Sequence, residues 1–244
     1  MKTVNIIKRM ACYLLGLFTI ALGINFAKMS MLGISPVSSI PRACEVIFGD
    51  KSELVTLGNM TIVVYCILVL LQIVVLRKKF KPYNILGIAV AIIFGKMVDF
   101  AGYSEKTHFH LLLNLYNKIN PAEQPYLVRL ALLLSSTIII AIGVFLYLRP
   151  KFVPMPAEGL AGAISTSTGK VFGNCKTIVD CSMIAIAFIL QFIFLGGINS
   201  FTGDIVVVRE GTIISAVVIG QIVKFLSKKL GKYLDKFLGI EQSK

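Results

Sequence analysis

Carboxylic acids inside long apolar stretches are the residues of this sequence that could bind a charged solute or carry a proton. Asp99 stands near the end of the apolar run AVAIIFGKMVDF, three residues after Lys96. An ionised side chain at the centre of a membrane span costs about 2.5–3.5 kcal/mol on insertion scales, so it is a functional candidate by default. Asp99 is therefore predicted to bind a cation or a proton. The alternative is that Asp99 only neutralises Lys96 on the same helix face.

Glu158 and Asp180 are a second candidate pair of carboxylates, in the later half of the chain. Two acids close together can share one proton, and together they attract a cation. We therefore expect Glu158 and Asp180 to bind part of a solute or a coupling ion. For Asp180 the alternative is a cap in the first turn of a helix, where an acid interacts favourably with the helix dipole.

The stretch LGISPVSSIPRACEVIFG, residues 32–49, is mostly apolar but too short and too polar for an ordinary membrane span. The guanidinium group of Arg42 can bind a carboxylate or a phosphate through two hydrogen bonds. A helix in this stretch is therefore predicted to turn its polar side chains toward a solute path. The alternative is that Arg42 and Glu45 pair with each other at the outer surface. Residues spaced by three and four along a helix share one face, and here they are Ser35, Ser38, Arg42 and Glu45.

Gln72 and Gln191 occupy matching places in two apolar runs, ILVLLQIVVL and IAFILQFIFL. Each could hydrogen-bond a solute or tie neighbouring helices together, and ties are the more common use of such residues. His108 and His110 lack a third ligand for zinc, and the five cysteines lack Cys/His ligand spacing. No nucleotide-binding or hydrolase motif is present. The sequence therefore predicts no cofactor, no metal and no enzymatic activity.

Apolar residues make up 56% of the 244 residues, and the mean hydropathy is +0.83. Soluble domains usually hold about 45–50% apolar residues. The apolar residues also come in blocks of the length that a membrane helix needs, about 20 residues. Six spans are predicted: Met10 to about Met31, Leu54–Leu76, about Tyr83–Gly102, the stretch framed by Arg129 and Arg149, Thr177–Leu195, and about Val206–Leu226.

The formal net charge of +13 arises from basic residues that flank these apolar blocks. Basic residues beside membrane spans mark the cytoplasmic side, so they indicate orientation rather than a nucleic-acid surface. Most of the 25 Lys and Arg residues lie inside if the N-terminus is cytoplasmic and only the six spans cross. If residues 32–49 crossed as well, the RKKFK cluster would move outside. The charges thus predict cytoplasmic termini, and a segment 32–49 that enters the membrane or lies on it without crossing.

The second half of the chain repeats the first. Residues 154–173 follow the fourth span as residues 32–49 follow the first, and ALGI at 21–24 matches AIGV at 141–144. Three crossings in each half would give the halves opposite orientations. Many secondary transporters have this layout, with the solute site where the repeats meet. The alternative for the two short segments is a pair of amphipathic helices on the membrane surface.

The predicted fold is thus all-α: a polytopic membrane protein with six transmembrane helices in two inverted three-helix repeats, each with a short re-entrant or interfacial helix. Residues 1–244 form a single membrane domain, with the repeats at about 10–103 and 126–228. Residues 229–244 are predicted to be a basic, amphipathic cytoplasmic tail that contacts anionic lipid.

GISPVSSIPRACEVIFG at 33–49 combines a G-x-S-P turn with a short helix, and KPYNILGIAVAIIFGKMVD at 81–99 ends in a G-x-x-x-D pattern. Both motifs resemble the YczE/YitT-like family of bacterial integral membrane proteins. The resemblance covers roughly residues 14–228 and departs from the family at Glu158, where the family has Asp. It implies a multi-pass protein of the bacterial plasma membrane, and it implies no particular activity.

These features together predict an integral membrane protein that transports a small polar or charged solute by alternating access, with the lipid bilayer around it. A proton or a sodium ion is the expected driver, and a homo-oligomer is compatible with the sequence. One alternative is a solute-binding subunit energised by a separate ATPase. Another is a membrane accessory or scaffold protein that transports nothing. The placement of the basic residues argues against nucleic acid as a partner.

Overall fold

Helices make up most of the described protein, so the fold is all-α, as predicted. The computed structural model describes residues 2–79, 81–103, 111–195 and 207–239, and His108 and His110 fall outside these ranges. The described residues form nine α-helices: α1 Lys2–Ser30, α2 Pro36–Phe48, α3 Leu57–Leu76, α4 Leu86–Phe100, α5 Leu113–Ile119, α6 Tyr126–Leu148, α7 Pro156–Thr168, α8 Phe172–Phe194 and α9 Glu210–Phe237.

Five helical segments among the described residues are long and apolar enough to cross a membrane, as expected of a membrane protein. They correspond to the first five predicted spans. α9, which holds most of the predicted sixth span, is not among them: it is 28 residues long, but lysines are spread through its C-terminal half. Val206, where that span was predicted to begin, lies outside the described residues. The five are Asn5–Ser30, Leu57–Leu76, Pro82–Phe100, Tyr126–Leu148 and Phe172–Phe194.

α2 and α7 are too short to cross a membrane. Each has 13 residues, which gives a length of about 20 Å against a hydrocarbon core of about 30 Å. Both helices begin with a proline, Pro36 and Pro156. Proline is favoured at the first helical position because no backbone N–H is needed there. The two segments expected not to cross thus form helices of equal length and similar start.

α1 and α6 lie side by side in the helix packing. Gly16 on α1 faces Gly143 and Tyr147 on α6, and further along α1, Gly23 faces Ile140, so the two helices are antiparallel. A Cβ atom added to Gly143 would lie 2.8 Å from the Gly16 carbonyl oxygen. Small residues allow two helix backbones to approach this closely. The glycines therefore allow α1 and α6 to pack closely against each other.

α9 runs antiparallel to α1, from one end of it to the other. Near the start of α9, the Gly211 N–H donates to the Leu32 carbonyl, 2.9 Å away. Just after its end, the Gly239 carbonyl accepts a hydrogen bond from the Arg9 guanidinium at 2.8 Å. We call the side that holds the start of α1 and the end of α9 the N-terminal face. The opposite face holds the end of α1 and the start of α9.

α9 is one unbroken helix as far as Phe237, so the basic residues 229–237 continue it rather than forming a separate tail. The Arg149 guanidinium, just after α6, lies 3.0 Å from the Asp235 carboxylate and 3.2 Å from the Ser227 carbonyl. These contacts hold the end of α9 against α6 at the N-terminal face. Residues 240–244 lie outside the described ranges.

The remaining helices enclose the two short ones. α2 packs against α3 and α8, and α7 packs against the same two helices. α4 packs against α1, as α9 packs against α6. α3 and α4 approach each other closely where Gly58 faces Gly95. Each short helix is therefore surrounded by longer helices from both halves of the chain.

Candidate functional site

A cavity of about 310 Å³ lies in the middle of the helix packing. Its wall is built by α1 to α4 from the first half of the chain and by α6 to α9 from the second. Much of the wall is apolar, with side chains such as Ile24, Tyr65, Phe94 and Ile140. We call it the central cavity. Its volume falls at the lower end of the range for small-molecule sites, about 300–1,000 Å³.

α2 begins at the central cavity and runs toward the opposite face. Ser35 and Ser38, at its start, line the cavity together with Ile20 of α1. Near its end, Glu45 contacts Lys28 in the last turn of α1, with 2.7 Å between carboxylate and ammonium. The start of α2 therefore lies inside the helix packing, whereas its end lies near the end of α1.

α7 also begins at the central cavity but runs toward the N-terminal face. Met155 and Glu158, at its start, line the cavity. Near its end, Ser167 donates a hydrogen bond to the Val75 carbonyl near the end of α3, 3.1 Å away. The end of α3 lies toward the N-terminal face, because the start of α3 adjoins the ends of α1 and α4. The two short helices thus diverge from one cavity toward opposite faces.

Among the described residues, three charged side chains line the central cavity, all from the second half of the chain. The Lys176 ammonium on α8 lies 2.8 and 3.1 Å from the two Asp180 carboxylate oxygens and 3.7 Å from Glu158 Oε1. Lys176 therefore donates hydrogen bonds to Asp180 and makes only a longer electrostatic contact with Glu158. Glu158 Oε2 is buried, and it accepts no hydrogen bond from any described residue.

Hydroxyl groups line another part of the same cavity. Ser35 Oγ donates to Ser38 Oγ at 3.2 Å, and Ser215 on α9 also lines the wall. Ser215 is fully buried, and its hydroxyl has no hydrogen-bond partner among the described residues. A buried polar group without a partner costs roughly 1–3 kcal/mol. Two such groups, Glu158 Oε2 and the Ser215 hydroxyl, belong to the lining of one cavity, as expected for a site that binds a ligand.

A second cavity, of about 520 Å³, lies toward the N-terminal face. Lys79 and Gln72 line it, near the end of α3. Glu158 and Lys176 line both this cavity and the central one. The contact between these two side chains therefore stands between the two cavities.

A buried ionic cluster lies toward the opposite face. Glu45 contacts Lys28 at 2.7 Å and Arg42 at 2.6 Å, and the Lys28 ammonium lies over the Tyr103 ring. Burial acts to raise the pKa of Glu45, but the charges of Arg42 and Lys28 outweigh it and lower this pKa to about 2. Glu45 is therefore ionised at neutral pH. Arg42 and Glu45 pair with each other, as the alternative for them stated, but they do so in a buried cluster and not around the central cavity.

Asp99 lies beside this cluster and caps α3. Its carboxylate accepts hydrogen bonds from the Thr56 hydroxyl and the Gly58 N–H, both at 2.8 Å. Lys96, the expected partner of Asp99, donates instead to the Asn59 side chain at 2.9 Å. The space beside Asp99 is only about 10 Å³, which is too small for a solute. Asp99 thus has a structural role in this conformation.

The two glutamines tie segments together. Gln72 Nε2 donates to the Pro156 carbonyl at 3.0 Å, which joins α3 to the start of α7. Gln191 Oε1 accepts from the backbone N–H groups of Val207 and Val208, at 3.1 and 2.9 Å. Of the two, Gln72 also lines the second cavity. Their main contribution is therefore to hold the wall of the site in position.

Asp180 lies in the third turn of α8 and not in the first, because the helix begins at Phe172. The capping alternative for this residue is therefore wrong. Lys176 and Ser215 also line the cavity, and neither was predicted as a site residue. Lys176 could have been recognised by its spacing of four from Asp180, which lets two side chains pair on one helix face. Ser215 carries no signal, because a single serine in an apolar helix is common.

Residues 7–228 match the model of a family of unknown function, DUF6198. The match covers nearly the whole chain, so the chain belongs to this family. No curated protein and no solved structure matches the chain.

Proposed function

We propose that this member of DUF6198 carries a small polar or charged solute across a membrane by alternating access. The observation that supports it best is the central cavity, which has the size of a ligand and is lined from both halves of the chain. Solute sites of many secondary transporters lie near the middle of the membrane, where two repeats meet. An accessory or scaffold protein has no need of buried, unpaired polar atoms in such a cavity.

The packing supports two related halves. In chain order, α1, α2, α3 and α4 correspond to α6, α7, α8 and α9. Under this correspondence the contact of α2 with α8 matches the contact of α7 with α3, and the contact of α1 with α4 matches the contact of α6 with α9. α1 with α6 is its own counterpart. These relations are what a twofold relation between two repeats would produce, in agreement with the sequence matches between the halves.

The course of α9 supports a sixth span. It contacts the end of α1 through Gly211 and the start of α1 through Gly239. α9 therefore covers the same distance as α1, which itself is long and apolar enough to cross a membrane. With α9 as the sixth span, each half has three crossings, and the halves are inverted.

The short helices fit the re-entrant alternative better than the surface one. Both begin at the buried central cavity, and Ser35, Ser38 and Ala157 are buried. Irregular backbone at membrane depth is tolerated where it is enclosed by protein or lines a cavity. The segments that precede α2 and α7 meet this condition.

The two halves differ in one respect that fits alternating access. α3 and α4 pack closely, whereas their counterparts α8 and α9 make few contacts with each other within the described residues. The larger cavity lies on the N-terminal face, and the buried cluster around Glu45 lies on the other. Lys79 and Lys81 line the larger cavity, so we assign that face to the cytoplasm. We interpret the conformation as facing inward, with the outer side closed.

A proton or a sodium ion remains our proposed driver, because no ATP-binding motif is present. A solute-binding subunit that relies on a separate ATPase is the variant of the same proposal. We also propose that the motifs at 33–49 and 81–99 relate the chain to the YczE/YitT-like proteins of the bacterial plasma membrane.

A larger side chain that fills the central cavity without disturbing the helix packing tests this proposal. Gly220 lines the cavity, and a Cβ atom there would meet nothing within 4 Å. We expect Gly220→Leu to abolish uptake into proteoliposomes and the thermal stabilisation by solutes, while the variant itself unfolds at the wild-type temperature. The solutes are a panel of amino acids, amines, carboxylates, sugars and nucleosides.

Gly173→Leu is the matched control, because Gly173 is equally free of neighbours and lines neither cavity. It should respond to solutes as the wild type does. If no member of the panel stabilises the wild type or enters proteoliposomes, the transporter proposal is wrong and the scaffold alternative is favoured.

A further inference from the structure

The central cavity has two polar ends of different chemistry. The acidic end consists of Glu158, Asp180 and Lys176. The hydroxyl end consists of Ser35 and Ser38 at the start of α2, and Ser215 on α9. Ser215 belongs to this end because it lies one turn beyond Gly211, whose N–H bonds the segment just before α2. Apolar side chains line the rest of the wall.

The acidic end holds two carboxylates and one ammonium group, so it carries one net negative charge. Lys176 donates to both oxygens of Asp180, at 2.8 and 3.1 Å, and so compensates that carboxylate. Glu158 is 3.7 Å from Lys176 through Oε1, and its Oε2 has no donor among the described residues. A protonated amine supplies both the missing charge and the missing donor, because an ammonium group carries three N–H bonds.

The hydroxyl end offers donors and a positive helix end. α2 has no acidic residue in its first turn, whereas the first turn of α7 contains Glu158. The partial positive charge at the start of α2, about half an elementary charge, is therefore not offset by an acid in that turn; Glu45 lies near the other end of the helix. Ser35 donates to Ser38, which leaves the Ser38 hydroxyl free to donate to a ligand.

Ser215 is the independent sign that a ligand group belongs at this end. Its side chain is fully buried, lines the cavity and has no partner in the described part of the chain. Together with the Ser38 hydroxyl and the backbone N–H of Val37, which is the first of α2 because Pro36 has none, it forms a set of donors that suits a carboxylate.

We propose that the central cavity binds a small zwitterion, a molecule with one protonated amine and one carboxylate. The amine binds Glu158, and the carboxylate binds Ser38, Ser215 and the start of α2. This assignment rests on the proposed function and names the solute class of the same site. A molecule with only one of the two charges leaves one end of the cavity without a partner. Sites built to hydrogen-bond a group reject analogues that lack it, by roughly 10⁴- to 10⁵-fold in the strongest cases.

The test compares leucine with two analogues of the same carbon skeleton. Isoamylamine lacks the carboxylate, and isocaproate lacks the amine. ε-Aminocaproate carries both groups at a wider separation, and it reports the distance between the two ends. Binding to the purified full-length chain is measured by thermal unfolding and by calorimetry. We expect a dissociation constant at least tenfold lower for leucine or ε-aminocaproate than for either single-charge analogue.

Two substitutions assign the two ends. Glu158→Gln should abolish the response to the zwitterions and to isoamylamine, whereas Ser215→Ala should weaken zwitterion binding about tenfold and leave isoamylamine unchanged. The matched controls are Glu123→Gln and Ser135→Ala, both at exposed positions outside the cavities. If Glu158→Gln does not fold, Ser215→Cys in a chain without its own cysteines replaces it: the zwitterion that binds should slow the reaction of this cysteine with a small thiol reagent.

Four results would overturn the proposal. Isocaproate could bind as tightly as the better of leucine and ε-aminocaproate, or the binding of that zwitterion could survive Glu158→Gln unchanged. A sugar or nucleoside could bind in a Gly220-dependent manner while no zwitterion does, which would leave the transporter proposal standing and remove the zwitterion. If no solute of any class binds, both proposals are wrong.

Discussion

Asp99 accepts two hydrogen bonds that satisfy the start of α3, one from Thr56 and one from Gly58. A carboxylate in this position stabilises a helix start through its charge as well as its hydrogen bonds. Asp99→Asn keeps the shape but loses the charge and one acceptor. We expect it to lower the free energy of unfolding by about 1–2 kcal/mol and to leave the affinity for solutes unchanged, as measured by thermal unfolding with and without ligand.

Lys96→Gln is the control for this substitution, because Lys96 is exposed and contacts Asn59 rather than Asp99. It should change stability by less than about 0.5 kcal/mol. An Asp99→Asn variant of normal stability that no longer binds any solute would mean that Asp99 belongs to the solute path after all.

At the scale of single residues, the sequence could identify the unusual side chains but not their roles. Asp99, Glu45 and Glu158 are all acids in apolar surroundings, and all were recognised as candidates. Their roles depend on partners from other helices, such as Thr56 for Asp99 and Lys28 for Glu45. These contacts arise only on folding, so spacing along one helix could not predict them.

At the scale of elements, the close approach of α1 and α6 depends on glycine. A Cβ atom on Gly143 would lie 2.8 Å from the Gly16 carbonyl oxygen, so a larger residue must push the two helices apart. We expect Gly143→Val to lower the free energy of unfolding by about 1–3 kcal/mol, the usual cost of overpacking. Thermal unfolding of the purified protein measures this effect.

Gly173→Val is the matched control, since a side chain at Gly173 meets open space. Both substitutions replace a helical glycine with the same branched residue, so the difference between them reports packing. Equal stability of the two variants would show that α1 and α6 can move apart at no cost.

The sequence predicted most elements but not all their limits. Long apolar blocks predicted five helices correctly. The distribution of basic residues predicted that 32–49 does not cross, and the 13-residue length of α2 agrees with that prediction. Residues 229–244 were predicted to be a basic tail, and residues 229–237 continue α9. Arg149 binds Asp235 and the Ser227 carbonyl in this helix, and a contact between residues so far apart leaves no local signal.

At the scale of the whole molecule, the proposed six spans can be tested by the side from which loops are labelled. Single cysteines replace Ser52, Lys79, Glu123 and Lys236 in a chain without its own cysteines. With six spans, an impermeant thiol reagent should label positions 52 and 123 from the outside, and positions 79 and 236 only after the membrane is opened. If α9 does not cross, position 236 is labelled together with position 52.

Sequence matches between the halves indicated a duplicated chain, and they led to the expectation of a cavity where the halves meet. The cavity lies there, lined by four of the predicted residues: Ser35, Ser38, Glu158 and Asp180. The contribution of α9 could not be predicted, because it depends on how the second half folds back on the first. The closer packing of α3 with α4 than of α8 with α9 could not be predicted either. The two halves have similar motifs, and similar motifs do not reveal which conformation the protein adopts.

The contact of α9 with both ends of α1 has a consequence for how the protein is made. α1 leaves the ribosome first and α9 last, yet Ser215 and Ile219 of α9 form part of the wall of the central cavity. Until α9 has packed against α6, the start of α2 and the acid of α7 lack this cover. A nascent chain interrupted before α9 should therefore be a target for membrane quality-control proteases, and its lifetime in the cell should be much shorter than that of the finished protein.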